Sequence, residues 1–251
     1  MRRILPPCAD ASAQDVDDEA LLTGYAPEPG TGAFVRFNFV SSLDGAATHQ
    51  GRSGALGTAA DHRVFMLLRR LADVILVGAG TVRAEGYEGE LLDDASRAWR
   101  LAHGMSERPI LAVASGHLDL DEHGALFSQN PGEILLLTSA AAPAQRIAAL
   151  APVAEIITAE GSGAGLDPHW IIKTLHDRGM RLIHAEGGPT LFGDFLRADA
   201  ISSLALTYSP LLVAGNGPRI AGGAHLEVPV SMELHLLHEQ DGTLLADYRR
   251  G

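Results

Sequence analysis

The feature that most constrains the fold is a regular alternation of short apolar runs with segments of helical periodicity. Residues 74–77, 110–114 and 134–137 are short and apolar, as in strands that are buried on both faces. Segments with helical spacing lie between many of these runs. Strands that alternate with helices form a largely parallel sheet covered by helices on both faces. The sequence therefore predicts an α/β fold.

The N-terminal part of the chain does not follow this alternation. Residues 1–32 are rich in proline and carry an acidic cluster at 15–19, so we interpret them as an arm with one short helix around 17–22. The first strand pattern begins at Phe34, and a length of 251 residues suits one α/β domain. We therefore predict an N-terminal arm at 1–32 and a single domain at 33–251.

The C-terminal part also changes pattern. Strand-like segments at 203–208, 226–237 and 244–249 follow one another without helices between them. The dipeptide Asp241-Gly242, between the last two segments, is a typical hairpin turn. We therefore predict a mostly parallel central sheet with an antiparallel addition made by the last strands.

Composition narrows the classes of function. The net charge of −12 disfavours non-specific nucleic-acid binding, although it does not exclude an anionic small ligand held by a few local groups. A single cysteine, Cys8, excludes a disulfide framework, and no histidine pair has the spacing of a zinc motif. No apolar run approaches the roughly 20 residues of a membrane span, and no signal-peptide core is present. We expect a cytoplasmic protein that binds no metal, membrane or nucleic acid.

One glycine-rich motif follows a predicted strand and begins a predicted helix. It reads Gly187-Gly188-Pro189-Thr190-Leu191. Adjacent glycines allow close backbone approach, proline suits the first helical turn, and the free N–H groups of a helix start bind phosphate. The alternative is a tight strand-to-helix turn without a ligand.

A second glycine-rich motif ends an earlier strand. The segment Gly78-Ala79-Gly80-Thr81 resembles the start of a dinucleotide fingerprint, but Arg83 stands where the third glycine belongs. We therefore interpret it as a ligand-lining loop of another α/β fold.

Several carboxylates follow predicted strands. Glu186 and Asp44 each come just after a strand, and such positions meet at the sheet edge where open α/β folds bind ligands. Carboxylates there orient polar heterocycles or move protons, and the alternative for each is a helix cap or a loop salt bridge. Asp61 lies three residues after the predicted helix cap Thr58, where a carboxylate also serves simply to complement the helix dipole.

Three of these segments, taken in order and spacing, resemble the reductase domain of the riboflavin-pathway deaminase–reductases, which shares the dihydrofolate reductase fold. They are residues 42–45, 68–82 and 186–191, and the resemblance runs from Phe34 to Arg249. It implies a three-layer α/β sandwich, a homodimer, and NADPH as cofactor. In that family hydride adds to C1′ of the opened, imine-like ribose of a ribosylamino-pyrimidine phosphate, and the cofactor carries the chemistry.

The resemblance and the motifs together predict the site. The resemblance assigns to NADPH Val40, Ala55, Thr81, Glu85, Ser115 and the segment 188–194, which includes Gly188, Pro189, Thr190 and Leu191; the glycine-rich strand ends add Gly78 and Gly187. For the small heterocyclic substrate it assigns Ser53, Arg69 and Glu186, to which we add Asp61. The candidate catalytic residues are Glu186, Asp44 and Asn38. We expect Asn38, Asp44, Ser53, Asp61, Arg69 and Glu186 to border one cavity facing the nicotinamide.

The sequence departs from the family at two points. Asn38 occupies the position of a usual lysine, and residues 85–90 are acidic where the family carries an arginine suited to the substrate phosphate. Residues 1–33 also lack the zinc signature of the deaminase, which predicts a stand-alone reductase. Two alternatives stay open: a reductase of dihydrofolate or another pteridine, and a non-catalytic NADP-binding regulatory protein.

Overall fold

A computed structural model provides the architecture. Cys8 lies outside the part of the chain that the structure describes, namely residues 1–6, 15–28, 30, 32–161 and 165–251. Within these ranges, no helix has the length and apolarity needed to cross a membrane.

Ten strands of the described residues join in one sheet. They are β1 (Arg2–Leu5), β2 (Phe34–Ser42), β3 (Val74–Gly78), β4 (Ile110–Ala114), β5 (Ile134–Ser139), β6 (Glu155–Ala159), β7 (Leu182–Ala185), β8 (Ser203–Ser209), β9 (Glu233–Gln240) and β10 (Thr243–Arg249). Their spatial order is β1-β9-β10-β8-β2-β7-β3-β4-β5-β6. Every neighbouring pair from β8 to β6 is parallel, whereas β10, β9 and β1 add antiparallel strands. The predicted sheet is confirmed.

Helices cover both faces of this sheet, which confirms the predicted three-layer α/β architecture. They are α1 (Asp18–Tyr25), α2 (Ala59–Leu71), α3 (Ala79–Glu85), α4 (Asp94–Ala102), α5 (Ala125–Ser128), α6 (Ala144–Leu150), α7 (Pro168–His176) and α8 (Pro189–Arg197). On one face α7 and α8 pack on Phe37 and Leu76 of the parallel strands. On the other face α1 and α2 pack on β8 to β10, while α3 and α6 cover β3 to β5.

Local signals placed two elements accurately. Thr58 caps α2, because its hydroxyl accepts a hydrogen bond of 3.2 Å from the backbone N–H of Asp61. Asp241 and Gly242 have positive φ angles of 52° and 79° and connect β9 to β10, as the hairpin signal predicted.

Three expectations need correction. The predicted strand at 226–237 begins only at Glu233, since Pro229 has no backbone N–H to donate to a sheet. The motif that begins at Gly78, predicted as a ligand-lining loop, is helical instead, because Gly78 caps the short helix α3. The N-terminal segment contains the predicted short helix, but its first residues also form β1 against β9.

Candidate functional site

The site forms where a strand of the sheet ends early. Strand β7 pairs with β2 and β3 only as far as Ala185, whereas β2 continues along β8 to Ser42. Beyond Ala185 no strand separates β2 from β3, and a cavity of about 1030 Å³ opens there. The carboxyl ends of parallel strands are where α/β folds bind ligands. The predicted residues that line the cavity are Asn38, Val40, Ser53, Asp61, Arg69, Gly78, Thr81, Glu85, Ser115, Glu186, Gly188, Pro189, Thr190 and Leu191.

Two glycine-rich turns form one wall of the cavity. Gly188 caps α8 without a side-chain hydrogen bond, so among the described residues no side chain caps the N–H groups of the first turn. The backbone N–H of Gly78 donates to the carbonyl of Gly187 across 2.8 Å, which joins the two turns. A Cβ atom at Gly188 would lie 2.6 Å from Thr81 Oγ1. Any larger residue at Gly188 would therefore disturb the contact between the turns as well as a ligand.

Two side chains hold Glu186, which lines the cavity. Arg69 binds its carboxylate with two parallel hydrogen bonds, Nε to Oε1 at 2.6 Å and Nη2 to Oε2 at 2.8 Å. The buried Tyr87 hydroxyl donates to Oε2 at 2.7 Å. The Arg69 guanidinium also lies 4.3 Å from the centre of the Phe65 ring. Glu186 therefore has one fixed orientation.

The same contacts keep Glu186 ionised. Burial by itself would raise the pKa of the Glu186 carboxyl, but the charge and hydrogen bonds of Arg69, assisted by the Tyr87 hydroxyl, outweigh it and lower that pKa. Burial and the negative charge of Glu186 raise the pKa of Tyr87 well above its usual value. The cavity thus presents a permanent carboxylate and a tyrosine that stays a hydrogen-bond donor.

His184 lies behind Glu186. Its imidazole is 1% exposed, and neither ring nitrogen has a hydrogen-bond partner among the described residues. Nε2 lies 3.5 Å from Glu186 Oε1, within ion-pair distance but without hydrogen-bond geometry. Burial lowers the pKa of His184 to about 4, so the ring is neutral at physiological pH.

Asp61 and Asn38 also line the cavity. Asn38, on β2, donates a hydrogen bond from its side-chain amide to the carbonyl of Ala205 at 3.2 Å. Asp61 lies in the first turn of α2, with Thr207 of β8 beside its carboxylate. Burial raises the pKa of Asp61, and the nearby Thr207 hydroxyl and His62 offset this only in part.

Two further predicted residues bind each other. The backbone N–H of Ser53 donates to Glu85 Oε1 at 2.7 Å, which fixes the loop before α2 to the end of α3. Ser115, which also lines the cavity, accepts a hydrogen bond of 2.9 Å from the backbone N–H of Leu118. Glu85 and Ser115 are thus held in the cavity lining by contacts within the protein.

Three predicted residues do not line the cavity. Asp44 lies outside it, because the Ser42 hydroxyl and the backbone N–H groups of Ala214 and Val213 hold its carboxylate and lower its pKa to about 2. Ala55 lies elsewhere on the loop before α2, and Gly187 faces the Phe39 ring. The expectation that Asp44 borders the cavity is therefore wrong, since it joins two loops instead.

Several residues of the site escaped sequence reasoning. Tyr87, His184 and Thr207 belong to no motif. Tyr87 lies beside Glu186 and Thr207 beside Asp61, both distant in sequence, whereas His184 lies only two residues before Glu186 on the same segment. The sequence did contain a signal for Thr207. It lies two positions after Ala205 on β8, so the two side chains share the strand face on which α2 packs. Among the residues that the structure describes, no cluster of His, Cys, Asp and Glu side chains is arranged to hold a metal ion.

Known proteins share this architecture. The pyrimidine reductase-like protein of Corynebacterium diphtheriae superposes with a TM-score of 0.81 and 26% identity, over 93% of this chain and 98% of its own. The deaminase/reductase of Thermotoga maritima superposes with a TM-score of 0.68 and 20% identity, over 88% of this chain and 57% of its own. The second likeness shows the fold alone.

Sequence comparison finds relatives of the same kind as the structural comparison does. The 2,5-diamino-6-ribosylamino-4(3H)-pyrimidinone 5′-phosphate reductase of Archaeoglobus fulgidus is 24% identical over 192 residues, which is 76% of this chain and 86% of the relative. The riboflavin biosynthesis protein RibD of Mycobacterium tuberculosis is 28% identical over 183 residues, which is 72% of this chain and 43% of the relative. A family model described as the RibD C-terminal domain matches residues 33–243, and the chain therefore belongs to the RibD C-terminal domain family.

Proposed function

We propose that this chain is an NADPH-dependent reductase of a ribosylamino-pyrimidine 5′-phosphate in riboflavin biosynthesis. The observation that carries the proposal is the placing of a permanent carboxylate, Glu186, in the same cavity as an uncapped helix start at Gly188. The relative from Archaeoglobus fulgidus is named for the reduction of such a pyrimidine. The reductase domain is proposed to span 33–251, in line with the family match at 33–243.

The cavity fits a dinucleotide cofactor. Its volume of about 1030 Å³ lies at the upper end of the range of ordinary small-molecule sites, which suits a large ligand. The first turn of α8 would hold the pyrophosphate through its free N–H groups, and Thr81 and Ser115 would line the rest of the NADPH site. When bound, NADPH supplies the hydride, and the protein orients the two rings.

The protein's own part in the reaction is electrostatic. The opened ribose of the proposed substrate is imine-like; a proton from solvent on its nitrogen gives a cationic iminium, and hydride addition at C1′ converts that cation to the amine. Glu186 stabilises that charge, because Arg69 and Tyr87 have already oriented its carboxylate and no reorganisation is needed during the reaction. Arg69 holds Glu186 rather than acting as a free cation for the substrate phosphate.

The oligomeric state and the cellular location belong to the same proposal. The family resemblance supports a homodimer and a cytoplasmic location. Light scattering during size-exclusion chromatography measures the first directly, and a mass of one protomer would contradict it.

The test is an activity panel. Purified protein is mixed with NADPH and, separately, with ribosylamino-pyrimidine phosphates and with dihydropteridines, and loss of NADPH absorbance is followed. We expect turnover with a pyrimidine and little with any pteridine. Turnover confined to pteridines would show that the substrate is a pteridine rather than the proposed pyrimidine. NADPH binding without any turnover would indicate a regulatory protein.

A further inference from the structure

A long segment without helix or strand structure connects two parts of the cavity lining. Residues 210–224, which we call the strap, follow β8 and contact first the loop after β2 and then the start of α8. At its near end the carbonyl of Leu211 accepts a hydrogen bond of 2.9 Å from the backbone N–H of Leu43. In its middle the carbonyl of Pro218 accepts one of 2.8 Å from the backbone N–H of Ala47. Ala47 and Pro218 both line the cavity, so the strap forms part of its boundary.

The far end of the strap packs on the start of α8. The backbone N–H of Gly222 donates to the carbonyl of Pro189, the first residue of the helix, at 2.9 Å. A Cβ atom at Gly193, one turn later, would overlap the carbonyl oxygen of Gly222. Ile220 and Ala221 pack on the apolar core beneath the helix. The strap and the first turns of α8 are therefore in direct backbone contact.

Asp44 holds the near end of the strap. Its carboxylate accepts hydrogen bonds from two successive backbone N–H groups, that of Val213 at 3.2 Å and that of Ala214 at 2.6 Å. Ala214 has a φ angle of 58°, a left-handed conformation that a residue other than glycine keeps only where its surroundings hold it. Successive N–H groups in a turn bind anions, and in this turn the anion is the Asp44 carboxylate. Asp44 therefore stabilises an unfavourable backbone conformation of the strap.

The same carboxylate fixes the loop after β2. It accepts a hydrogen bond from the Ser42 hydroxyl, and the oxygen of that hydroxyl accepts one of 2.9 Å from the backbone N–H of Ala46. The next residue is Ala47, which lines the cavity and donates to Pro218. One exposed carboxylate thus holds both the loop and the strap in place.

We propose that Asp44 is a positioning residue for the cofactor, because it holds the strap that sets the first turn of α8. This inference rests on the proposed function, in which the free N–H groups of that turn bind the NADPH pyrophosphate. Such groups bind a phosphate tightly only when the protein has already oriented them, since ordering them during binding costs affinity. Asp44 itself does not line the cavity, so its effect passes through the strap to Pro189 and Gly193.

Asp73 provides a matched control in the same sheet. Its Oδ2 also accepts hydrogen bonds from two successive backbone N–H groups, those of Arg181 and Leu182, each at 2.8 Å. It thus joins two distant segments as Asp44 does. It lies just before β3, at the edge where the parallel strands begin, and it does not line the cavity. A general cost of removing such a carboxylate will therefore appear in both positions, whereas an effect on the cofactor will appear only at Asp44.

The first experiment compares wild type, Asp44→Ala, Asp44→Asn and Asp73→Ala. NADPH affinity is measured by fluorescence titration, the melting temperature shows that each protein is folded, and steady-state assays give kcat and the KM for NADPH. Asp44→Ala should weaken NADPH binding about tenfold, with the larger part of the kinetic change in KM rather than in kcat. Asparagine keeps one acceptor oxygen, so Asp44→Asn should recover most of the affinity. Asp73→Ala should bind NADPH as wild type does.

Three results of this experiment would overturn the inference. They are unchanged NADPH affinity in Asp44→Ala, equal weakening in Asp73→Ala, and a loss in Asp44→Ala that falls on kcat alone.

A second variant tests whether the effect passes through the strap. Gly193→Ala places a methyl group where the Gly222 carbonyl lies, so it displaces the far end of the strap and should also weaken NADPH binding. Because both changes act on the same segment, the double variant Asp44→Ala/Gly193→Ala should lose little more affinity than the weaker-binding single variant. Losses that simply add would mean that the two residues act independently, which contradicts the inference.

Hydrogen exchange of the cofactor-free protein separates failure of this inference from failure of the proposed function. Asp44→Ala should speed amide exchange in peptides that cover 189–197 as well as 210–224, whereas Asp73→Ala should speed it in neither. If wild type binds no NADPH, the proposed function fails, but faster exchange at 189–197 in Asp44→Ala still supports the role of Asp44. Unchanged exchange at 189–197 in Asp44→Ala overturns it.

Discussion

Two buried pairs of arginine and carboxylate in the described part of the chain, each on a different carboxylate, differ in what surrounds them. The cavity pair, Arg69 and Glu186, is bidentate and borders the cavity beyond the end of β7. The closed pair, Arg36 and Asp247, is 4.0 Å apart and bridged by the Ser203 hydroxyl, and none of it borders the cavity. Both pairs thus bury charge, but only the cavity pair borders the space available to a ligand.

The closed pair has a structural task. Arg36 donates to the backbone carbonyl of Tyr25, and Arg249 binds Asp247 at 2.9 Å and the carbonyls of Gly24 and Ala26 at 3.1 Å. Together they satisfy the carbonyls at the end of α1, which otherwise lack partners. This network therefore holds the N-terminal helix against the sheet.

The comparison shows how position along one strand decides the use of a charge. Arg36 is the third residue of β2 and lies where β7 and β8 still flank the strand on both sides. Asn38, two residues later, lies beyond the last residue of β2 that pairs with β7 and lines the cavity. Polar side chains in the flanked part of the sheet must find partners within the protein, whereas polar side chains beyond the end of β7 can bind a ligand.

Breaking the closed pair should have the largest effect. Asp247→Ala leaves Arg36 buried without its carboxylate, so we expect a loss of about 3–5 kcal/mol in the free energy of unfolding. NADPH affinity of the protein that remains folded should not change. Urea denaturation and cofactor titration measure the two quantities, and a loss below about 1 kcal/mol would show that Arg36 finds other partners.

Changing the cavity pair should affect catalysis instead. Glu186→Gln keeps the shape but removes the charge, so turnover should fall by roughly a hundredfold, which is about 2.7 kcal/mol of barrier. The control is Tyr87→Phe, which removes one hydrogen bond but leaves the ion pair, and its turnover should fall much less. Steady-state NADPH oxidation measures both, and equal losses would contradict the central role of the charge.

Acidification should test His184, which lies between the two pairs. Burial is the main cause of its pKa of about 4; Glu186 raises that value, and Arg36 and Arg69 lower it. Between pH 6.5 and 4 the unfolded chain binds a proton at this site that the folded chain does not, so stability falls as the pH falls through this window.

The contribution of His184 to that fall should be roughly 2–3 kcal/mol. Replacing the ring by leucine removes the titration, so His184→Leu should show a flatter decline in the free energy of unfolding on acidification. Denaturant curves at pH values across the window measure it. The same slope in both proteins would mean that other groups cause the decline.

The smallest expected effect concerns the cofactor wall. Thr190 is exposed in the first turn of α8, so Thr190→Asp puts a negative charge where the pyrophosphate is proposed to bind, without disturbing the core. NADPH affinity should fall about tenfold, or about 1.4 kcal/mol, while thermal stability stays equal or rises, because aspartate suits a helix start. Thr190→Asn is the uncharged control, and fluorescence titration that shows equal weakening in both would contradict the phosphate placement.

Sequence patterns determined the layers of this protein. The apolar run at 74–77 became β3, the helix that Thr58 caps became α2, and Asp241-Gly242 became a hairpin, because each depends on contacts or dihedral preferences within a few residues. The glycine-rich turn at 187–188 was likewise placed correctly at the start of α8.

Only the tertiary structure decided which side chains share the cavity. Arg69 and Glu186 are 117 positions apart in the chain, and Tyr87 and Glu186 are 99 apart, so no local pattern pairs them. The same holds for Asp44. In the sequence it follows a strand just as Glu186 does, but in the structure its carboxylate accepts a hydrogen bond from the backbone N–H of Ala214. Such choices depend on strand order and on where β7 stops, which are set by packing across the whole sheet rather than by any one segment.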